Sequence, residues 1–355
     1  MTGNQARPGA PDIVSARRRA RKLIIQIPCR DEAEQLPATL ADLPRCVPGF
    51  DLVEWLVIDD GSTDGTAQVA RTNGVDHVVT LPHNQGLARA FMAGLEASLR
   101  AGADVIVNTD ADNQYRAACI PALTAPVLEG RAQIVVGARP IAEIAHFSPI
   151  KRMLQRLGSW VVQKASGTRV ADAPSGFRAF DRQAAMRLYV FGNYTYTLET
   201  IIQAGVLGLP ILSVPVEVNP PTRPSRLIRS VPAYVWRSAQ TIFRIVVLYK
   251  PLRVFSLAAG ILALPGVLAF ARFLFLYAAG GGAGNVQSLV IGAALIAAGA
   301  VVFIGGLLAD LIAANRTLLA EIRGRMLERE LDRDRDRSEY VNAGPEGDQA
   351  GPDRR

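Results

Sequence analysis

Two carboxylates, Asp110 and Asp112, follow the apolar run Val105–Asn108 at positions i and i+2. On an extended chain they would face opposite ways, so both can reach one ligand only if the chain turns. Hard oxygen donors of this kind suit Mg²⁺ or Mn²⁺, and such an ion offsets the charge that develops on a departing diphosphate. A second acidic turn, Asp59-Asp60-Gly61-Ser62-Thr63, follows the run Trp55–Ile58. Its carboxylates can accept hydrogen bonds from a base N–H or a ribose hydroxyl, while Gly61 allows a tight turn and Ser62 or Thr63 starts a helix. The plain alternative for that segment is a helix cap and a turn with no ligand. His77, His83 and His146 have no mutual spacing that suggests catalysis, and Cys29, Cys46 and Cys119 have none that suggests a metal site. Both sets read as structural.

Acidic turns of this kind need a scaffold that gathers strand ends. Leu23–Ile27, Trp55–Ile58, Val78–Leu81, Val105–Asn108 and Ile134–Gly137 are short apolar runs alternating with helix-length segments. That alternation predicts an α/β domain with a mostly parallel sheet and crossover helices. Asp31 is expected to cap a helix through Leu36 and Leu40, and Gly86–Leu99 carries Leu87, Phe91, Leu95 and Leu99 at helical spacing. Open sheets bind ligands beyond the carboxyl ends of their strands. Glu32, Asp59, Asp60, Asp110 and Asp112 all fall there.

The chain has 355 residues and a net charge of +7. Its mean hydropathy is +0.17 although 20% of its residues are charged, so apolar residues must be concentrated somewhere. They gather at 252–278 and 287–314, each long enough to cross a hydrocarbon core of roughly 30 Å. Lys250 and Arg253 precede this pair, Arg316, Arg323 and Arg325 follow it, and the connecting turn at 280–285 carries no charge. The positive-inside rule then places the catalytic part and both termini in the cytoplasm, with the protein in the inner membrane. Residues 231–250 mix aromatic and aliphatic residues with Arg237 and Arg244, which predicts an amphipathic helix at the membrane interface. The plan is a disordered basic tail at 1–21, a catalytic domain at 22–230, the interface helix at 231–250, two transmembrane helices at 251–315 and a polar tail at 316–355. The basic charge sits in the N-terminal tail and beside the apolar pair, without aromatic-rich strands. It points to membrane lipids and phosphate ligands and away from nucleic acid.

Six blocks in order, PCRDE at 28–32, VIDDGSTDGT at 57–66, NQGLARA at 84–90, TDADNQ at 109–114, GAR at 137–139 and DAPSGFR at 172–178, resemble family 2 glycosyltransferases. Within that family they look like the dolichol- and polyprenyl-phosphate sugar synthases, and the paired C-terminal helices resemble the bacterial polyprenyl-phosphate branch. The resemblance implies a GT-A fold, a nucleotide-diphosphate sugar donor linked to UDP or GDP, a polyprenyl phosphate acceptor and a homo-oligomer. It implies that Pro28, Arg30, Glu32, Asp59, Asp60, Asp110, Ala111 and Glu199 bind the nucleotide sugar. Asp112, with Asp110 and Gln114, would hold the metal, and Arg139 would reach phosphate near the reaction centre. Lys151, Arg152, Arg156, Arg223 and Arg226 would meet the acceptor phosphate. Ser175 and Arg178 would line that site or shape its loop. Gln155 stands where a serine is expected, and the R-x-x-S-K stretch reads Arg223-Pro224-Ser225-Arg226.

The QxxRW element of processive synthases is absent, so one sugar is expected per acceptor, with inversion. Two rivals stand beside this reading. One is a same-fold enzyme acting on a glycan or lipid alcohol, which would need a base such as Glu199 or Asp172. The other is a non-catalytic nucleotide-sugar-binding membrane scaffold.

Overall fold

The computed structural model describes residues 20–140, 149–190, 196–220, 236, 239–240, 243–244, 246–280 and 286–343. The first half alternates as expected: β1 (Lys22–Cys29), α1 (Leu36–Asp42), β2 (Leu52–Asp59), α2 (Thr66–Thr72), β3 (His77–Thr80), α3 (Leu87–Arg100) and β4 (Val105–Asn108). A 3₁₀ turn at Ala117–Cys119 leads into α4 (Ile120–Leu128), then β5 (Ile134–Ala138) and α5 (Pro149–Ser166). Then come β6 (Arg178–Asp181), α6 (Arg182–Arg187), α7 (Thr197–Leu207) and β7 (Ile211–Pro215).

The seven strands lie in the order β3-β2-β1-β4-β6-β5-β7. All neighbouring pairs are parallel except those of β6, which runs antiparallel to both β4 and β5. β6 and β7 were not foreseen from the apolar runs. Arg178–Asp181 is only four residues long and opens on a charge, so it carries no visible period.

Side chains alternate across the sheet, and both faces are covered. Leu23, Ile25 and Ile27 of β1 join one core with Leu36, Leu40 and Leu123. Ile24, on the opposite face, joins Phe91, Leu95 and Phe180 in another. Gln26 is buried in the same strand, and its amide donates to Asn108 Oδ1 on β4 at 2.9 Å. The pair joins two buried polar side chains directly beneath the acidic turn that follows Asn108, with Gln26 Oε1 left without a hydrogen bond.

Helices α8 (Pro251–Ala278) and α9 (Val286–Ala343) form a hairpin, and both are long and apolar enough to cross a membrane. Small residues let their backbones approach closely. A Cβ on Gly266 would lie 2.8 Å from the Gly292 carbonyl, and one on Gly306 would lie 2.5 Å from Phe255 Cβ. Of the expected interface segment, the described residues from Trp236 to Tyr249 are helical, with Trp236 and Phe243 exposed.

The polar segment after residue 315 is helical over its first part and docks on the catalytic domain. α9 continues to Ala343, and Leu327 and Leu331 are buried in the core that holds Phe91 and Phe180. Arg323 pairs with Glu96 at 3.0 Å and Glu330 with Arg100 at 3.1 Å. Two leucines four residues apart give that face of a charged helix an apolar stripe, which docks it on α3 and α6.

Candidate active site

The parallel pairing brings the ends of β1, β2, β4 and β5 to one edge of the sheet. β6 enters from the same edge, because Arg178 pairs antiparallel with Asn108 at the end of β4. The TDADNQ turn, Arg139 and the DAPSGFR loop therefore meet there.

The TDADNQ turn is held from three sides. Thr39 Oγ1 donates to the Ala111 carbonyl at 2.7 Å, and Asn219 Nδ2 donates to the Asn113 carbonyl at 2.9 Å. Asp112 Oδ1 accepts from the Gln114 amide at 3.1 Å, and Asn113 takes a φ of 51°. The left-handed Asn113 turns the chain between Asp112 and Gln114, directly after the two carboxylates. The Asp110 carboxylate lies against Gly176, where an added Cβ would come within 3.0 Å of both its oxygens. Burial, followed by the neighbouring Asp112 charge, lifts the Asp110 pKa to about 7, against the pull of Arg139 and Arg178. Two crowded carboxylates with hard oxygens suit a divalent cation. Among the described residues no third Asp, Glu, His or Cys completes a metal cluster. The set fits an ion whose other ligands are diphosphate oxygens and water, the usual arrangement for Mg²⁺.

The DAPSGFR loop is organised by two arginines. Arg139 makes a two-pronged pair with Asp172, Nε to Oδ2 at 2.6 Å and an Nη to Oδ1 at 3.1 Å. Burial alone would lower its pKa; Tyr115 and the Asp172 carboxylate outweigh that and hold it above the usual arginine range. Arg178 is fully buried. Its guanidinium donates to the Ser175 carbonyl at 2.8 Å, the Ala173 carbonyl at 2.7 Å and Thr200 Oγ1 at 2.5 Å. Burial pulls its pKa down to about 10, which leaves it charged at neutral pH. Of the two readings given for Arg178, these bonds favour loop shaping, since its donors point into the protein. Ser175 is buried in the same loop.

The DDGST turn is also more structural than expected. Asp60 accepts from the Gln85 and Gly86 amides at 2.7 and 2.9 Å, and Asp59 Oδ1 accepts from the Ser62 amide at 2.9 Å. Gly61 is needed, because a Cβ there would lie 2.6 Å from the His83 carbonyl carbon. The expected caps are replaced by others. Asp31 has φ 51° and accepts from the Thr63 amide, Ser62 Oγ accepts from the Asp31 amide, and Asp64 accepts from the Thr66 and Ala33 amides. α1 starts later, at Leu36. These bonds lock the PCRDE and DDGST turns side by side, with Glu32 buried between the first turn and Thr66. Arg30 is largely exposed at the rim.

Glu199 is buried on α7 and accepts from the Tyr249 hydroxyl at 2.9 Å. Tyr196, just before α7, accepts from Asn108 Nδ2 at 2.8 Å, donates to the Gly176 carbonyl at 3.2 Å and stacks on Phe91. Asn108, Tyr196 and Tyr249 were not singled out from sequence as site residues, because an isolated tyrosine or asparagine carries no spacing signal. Lys151, Arg152 and Arg156 belong to α5, but their side chains lie outside the described residues, as do Arg223 and Arg226 altogether.

The sequence profile described as glycosyl transferase family 2 matches residues 24–189. The undecaprenyl-phosphate mannosyltransferase of Micrococcus luteus is 30% identical over 205 residues, covering 55% of this chain and 82% of that protein. The polyprenol monophosphomannose synthase of Mycolicibacterium smegmatis is 26% identical over 227 residues, covering 61% of this chain and 84% of that protein. Glucosyl-3-phosphoglycerate synthase from Mycobacterium tuberculosis, solved with Mn²⁺, UDP and glucosyl-3-phosphoglycerate, superposes with a TM-score of 0.50 at 21% identity, over 64% of this chain and 79% of that one. That likeness is one of fold.

Proposed function

Because the chain belongs to glycosyl transferase family 2, we propose that it moves a single sugar from a nucleotide-diphosphate donor to polyprenyl phosphate, with inversion, at the cytoplasmic membrane face. The observation that carries this reading is the meeting of the TDADNQ turn, Arg139 and the DAPSGFR loop at one sheet edge, in a domain docked on a membrane-length hairpin. The two relatives are named for lipid-phosphate acceptors, which supports the same choice.

An acceptor phosphate oxygen attacks the anomeric carbon, the bond from that carbon to the nucleoside diphosphate breaks, and the diphosphate departs from the opposite face. The acceptor is already ionised near neutral pH, so no strong base is required. Asp112, Asp110 and Gln114 would hold Mg²⁺ or Mn²⁺, which when bound offsets charge on the leaving diphosphate. The Mn²⁺ bound to the fold relative supports a divalent ion. Pro28, Glu32 and Asp59 would line the nucleoside pocket, with Asp60 holding its wall. Arg139, oriented by Asp172, opposes repulsion between the two phosphates. Membrane anchoring brings the lipid phosphate to this edge and turns a search in three dimensions into one in two.

Purified protein in detergent, given undecaprenyl phosphate, Mg²⁺ or Mn²⁺ and a panel of labelled nucleotide sugars, tests the reading. A mannosyl donor heads the panel, with glucosyl, N-acetylhexosaminyl and uronosyl donors after it. A labelled polyprenyl-phosphate sugar from one donor is the expected product. Label on an alcohol acceptor, or nucleotide binding with no transfer to any acceptor, would replace it with one of the two rivals.

A further inference from the structure

A shallow recess, open to the surroundings, lies where the hairpin meets the catalytic domain. Val206 and Leu207, in the last turn of α7, and Leu248 form an apolar wall; Ala313 and Ala320 of α9 keep the facing wall low. Its polar lining is mostly engaged. The Tyr249 hydroxyl donates to Glu199 and accepts from Gln203 at 2.9 Å, and Thr317 Oγ1 turns back to the Ala313 carbonyl. Arg316 also lines the pocket, is half-buried, and makes no hydrogen bond or ion pair to another described residue. Lys250 and Arg253 stand at the adjoining start of α8, and burial together with Arg253 holds the Lys250 pKa below the usual lysine range. The ends of both membrane-length helices therefore bring Lys250, Arg253 and Arg316 around an apolar recess, with the Glu199 carboxylate behind Tyr249.

We propose that this pocket binds an anionic glycerophospholipid of the surrounding bilayer, with Arg316 on the phosphodiester and an acyl chain against Val206 and Leu248. A cation beside an apolar wall, at the level where the spans leave the hydrocarbon, matches a headgroup joined to its first acyl carbons. The apolar wall of the recess lies at the far end of α7 from the DAPSGFR loop, and Tyr249 links the two through Glu199. Tyr196, at one end of α7, touches Gly176 and Asn108, whereas Val206 lies ten residues further on, about 15 Å along the helix axis. A reacting acceptor oxygen must come within about 3.5 Å of the anomeric carbon, so competition with undecaprenyl phosphate separates this occupant from the acceptor. The inference rests on the hairpin spanning a bilayer and not on the reaction proposed above.

The test is native mass spectrometry of the full chain in detergent, titrated with phosphatidylglycerol or phosphatidylcholine and no sugar donor. R316Q is expected to bind phosphatidylglycerol about fivefold more weakly than wild type, the share of one interfacial cation. R325Q is the control: Arg325 lies on the same helix, is exposed, and pairs with Glu321. It should bind as wild type, and phosphatidylcholine should not separate the variants. Unchanged binding by R316Q, or an equal loss in R325Q, would overturn the site. Displacement of phosphatidylglycerol by equimolar undecaprenyl phosphate would overturn it too, and would reassign the pocket to the acceptor. Unfolding of lipid-free R316Q at the wild-type temperature keeps a folding defect apart from these outcomes.

Discussion

The hydroxyl of Tyr249, two residues before the first membrane-length helix, donates to the buried carboxylate of Glu199 across 2.9 Å. Gln203, one turn along the same helix, bonds that hydroxyl and both backbone groups of Tyr189. The root of the hairpin is thus bonded to α7, and Tyr196, just before that helix, touches Asn108 and Gly176 beside Asp110. Loss of a hydrogen bond to a buried carboxylate costs about 1.5–3 kcal/mol. Without that bond Glu199 is no longer held in place, and a loss of about 1.4 kcal/mol in transition-state stabilisation means that Tyr249→Phe should lower turnover by roughly tenfold, with donor KM less affected. Steady-state kinetics beside thermal unfolding would measure this. An equal fall in unfolding temperature and activity would reduce Tyr249 to a packing residue.

Asp112→Asn should cut turnover at least about a hundredfold, in the range seen when one group stabilising a developing charge is removed. Asp112 is partly exposed, so stability should change little. Chelation of divalent ions should silence the wild type, and the variant should need far more Mn²⁺ for half-maximal rate. Near-normal turnover by the variant would remove the metal role from Asp112.

Arg178→Met should destabilise the domain by about 3–5 kcal/mol, because buried carbonyls of Ala173 and Ser175 lose their donors. The readout is the unfolding temperature with the active-site ligands absent. A variant that unfolds normally but fails only with the lipid acceptor would return Arg178 to the acceptor site.

Leu327→Ala should cost about 2–4 kcal/mol, as for other leucines cut back inside a core. Removal of residues beyond 315 should lower stability further. A solvated tail would leave both measurements unchanged.

Asp76 supplies a pH dependence. Burial pushes its pKa up, but the Trp55 amide and Arg45 more than offset this, and the net shift is below the usual value of 3.8. A carboxylate depressed in the folded state adds stability above its unfolded pKa and loses it as pH falls through the folded one. The advantage of wild type over Asp76→Asn should stay constant from neutral pH down to about 5 and vanish in stronger acid. Urea unfolding across that range would detect it; a gap that widened toward acid would contradict the assignment.

How much was legible can be judged residue by residue. The five apolar runs became β1 to β5 because buried parallel strands need nearly continuous apolar sequence, a signal that survives in one dimension. The hairpin was legible for a similar reason, since a bilayer-length apolar stretch has few other uses. The burial of Arg178 and of one face of α9 was not legible for the opposite reason. A charge in sequence looks like a surface or a ligand contact, and only its partners show otherwise. Leu327 and Leu331 were too sparse among arginines and glutamates to announce a docking face.

The amino-acid sequence by itself determined that strand ends would gather acidic turns, that two carboxylates would suit a divalent ion, and that an apolar pair of helices would follow. These depend on local composition and period, which act over a few residues. Only the tertiary structure decided that β6 runs antiparallel and delivers the DAPSGFR loop to Asp110, that Asp172 engages Arg139, and that α9 returns to the catalytic domain. Each of these joins residues far apart in the chain, and their energies come from burial and pairing that exist only once the sheet has closed.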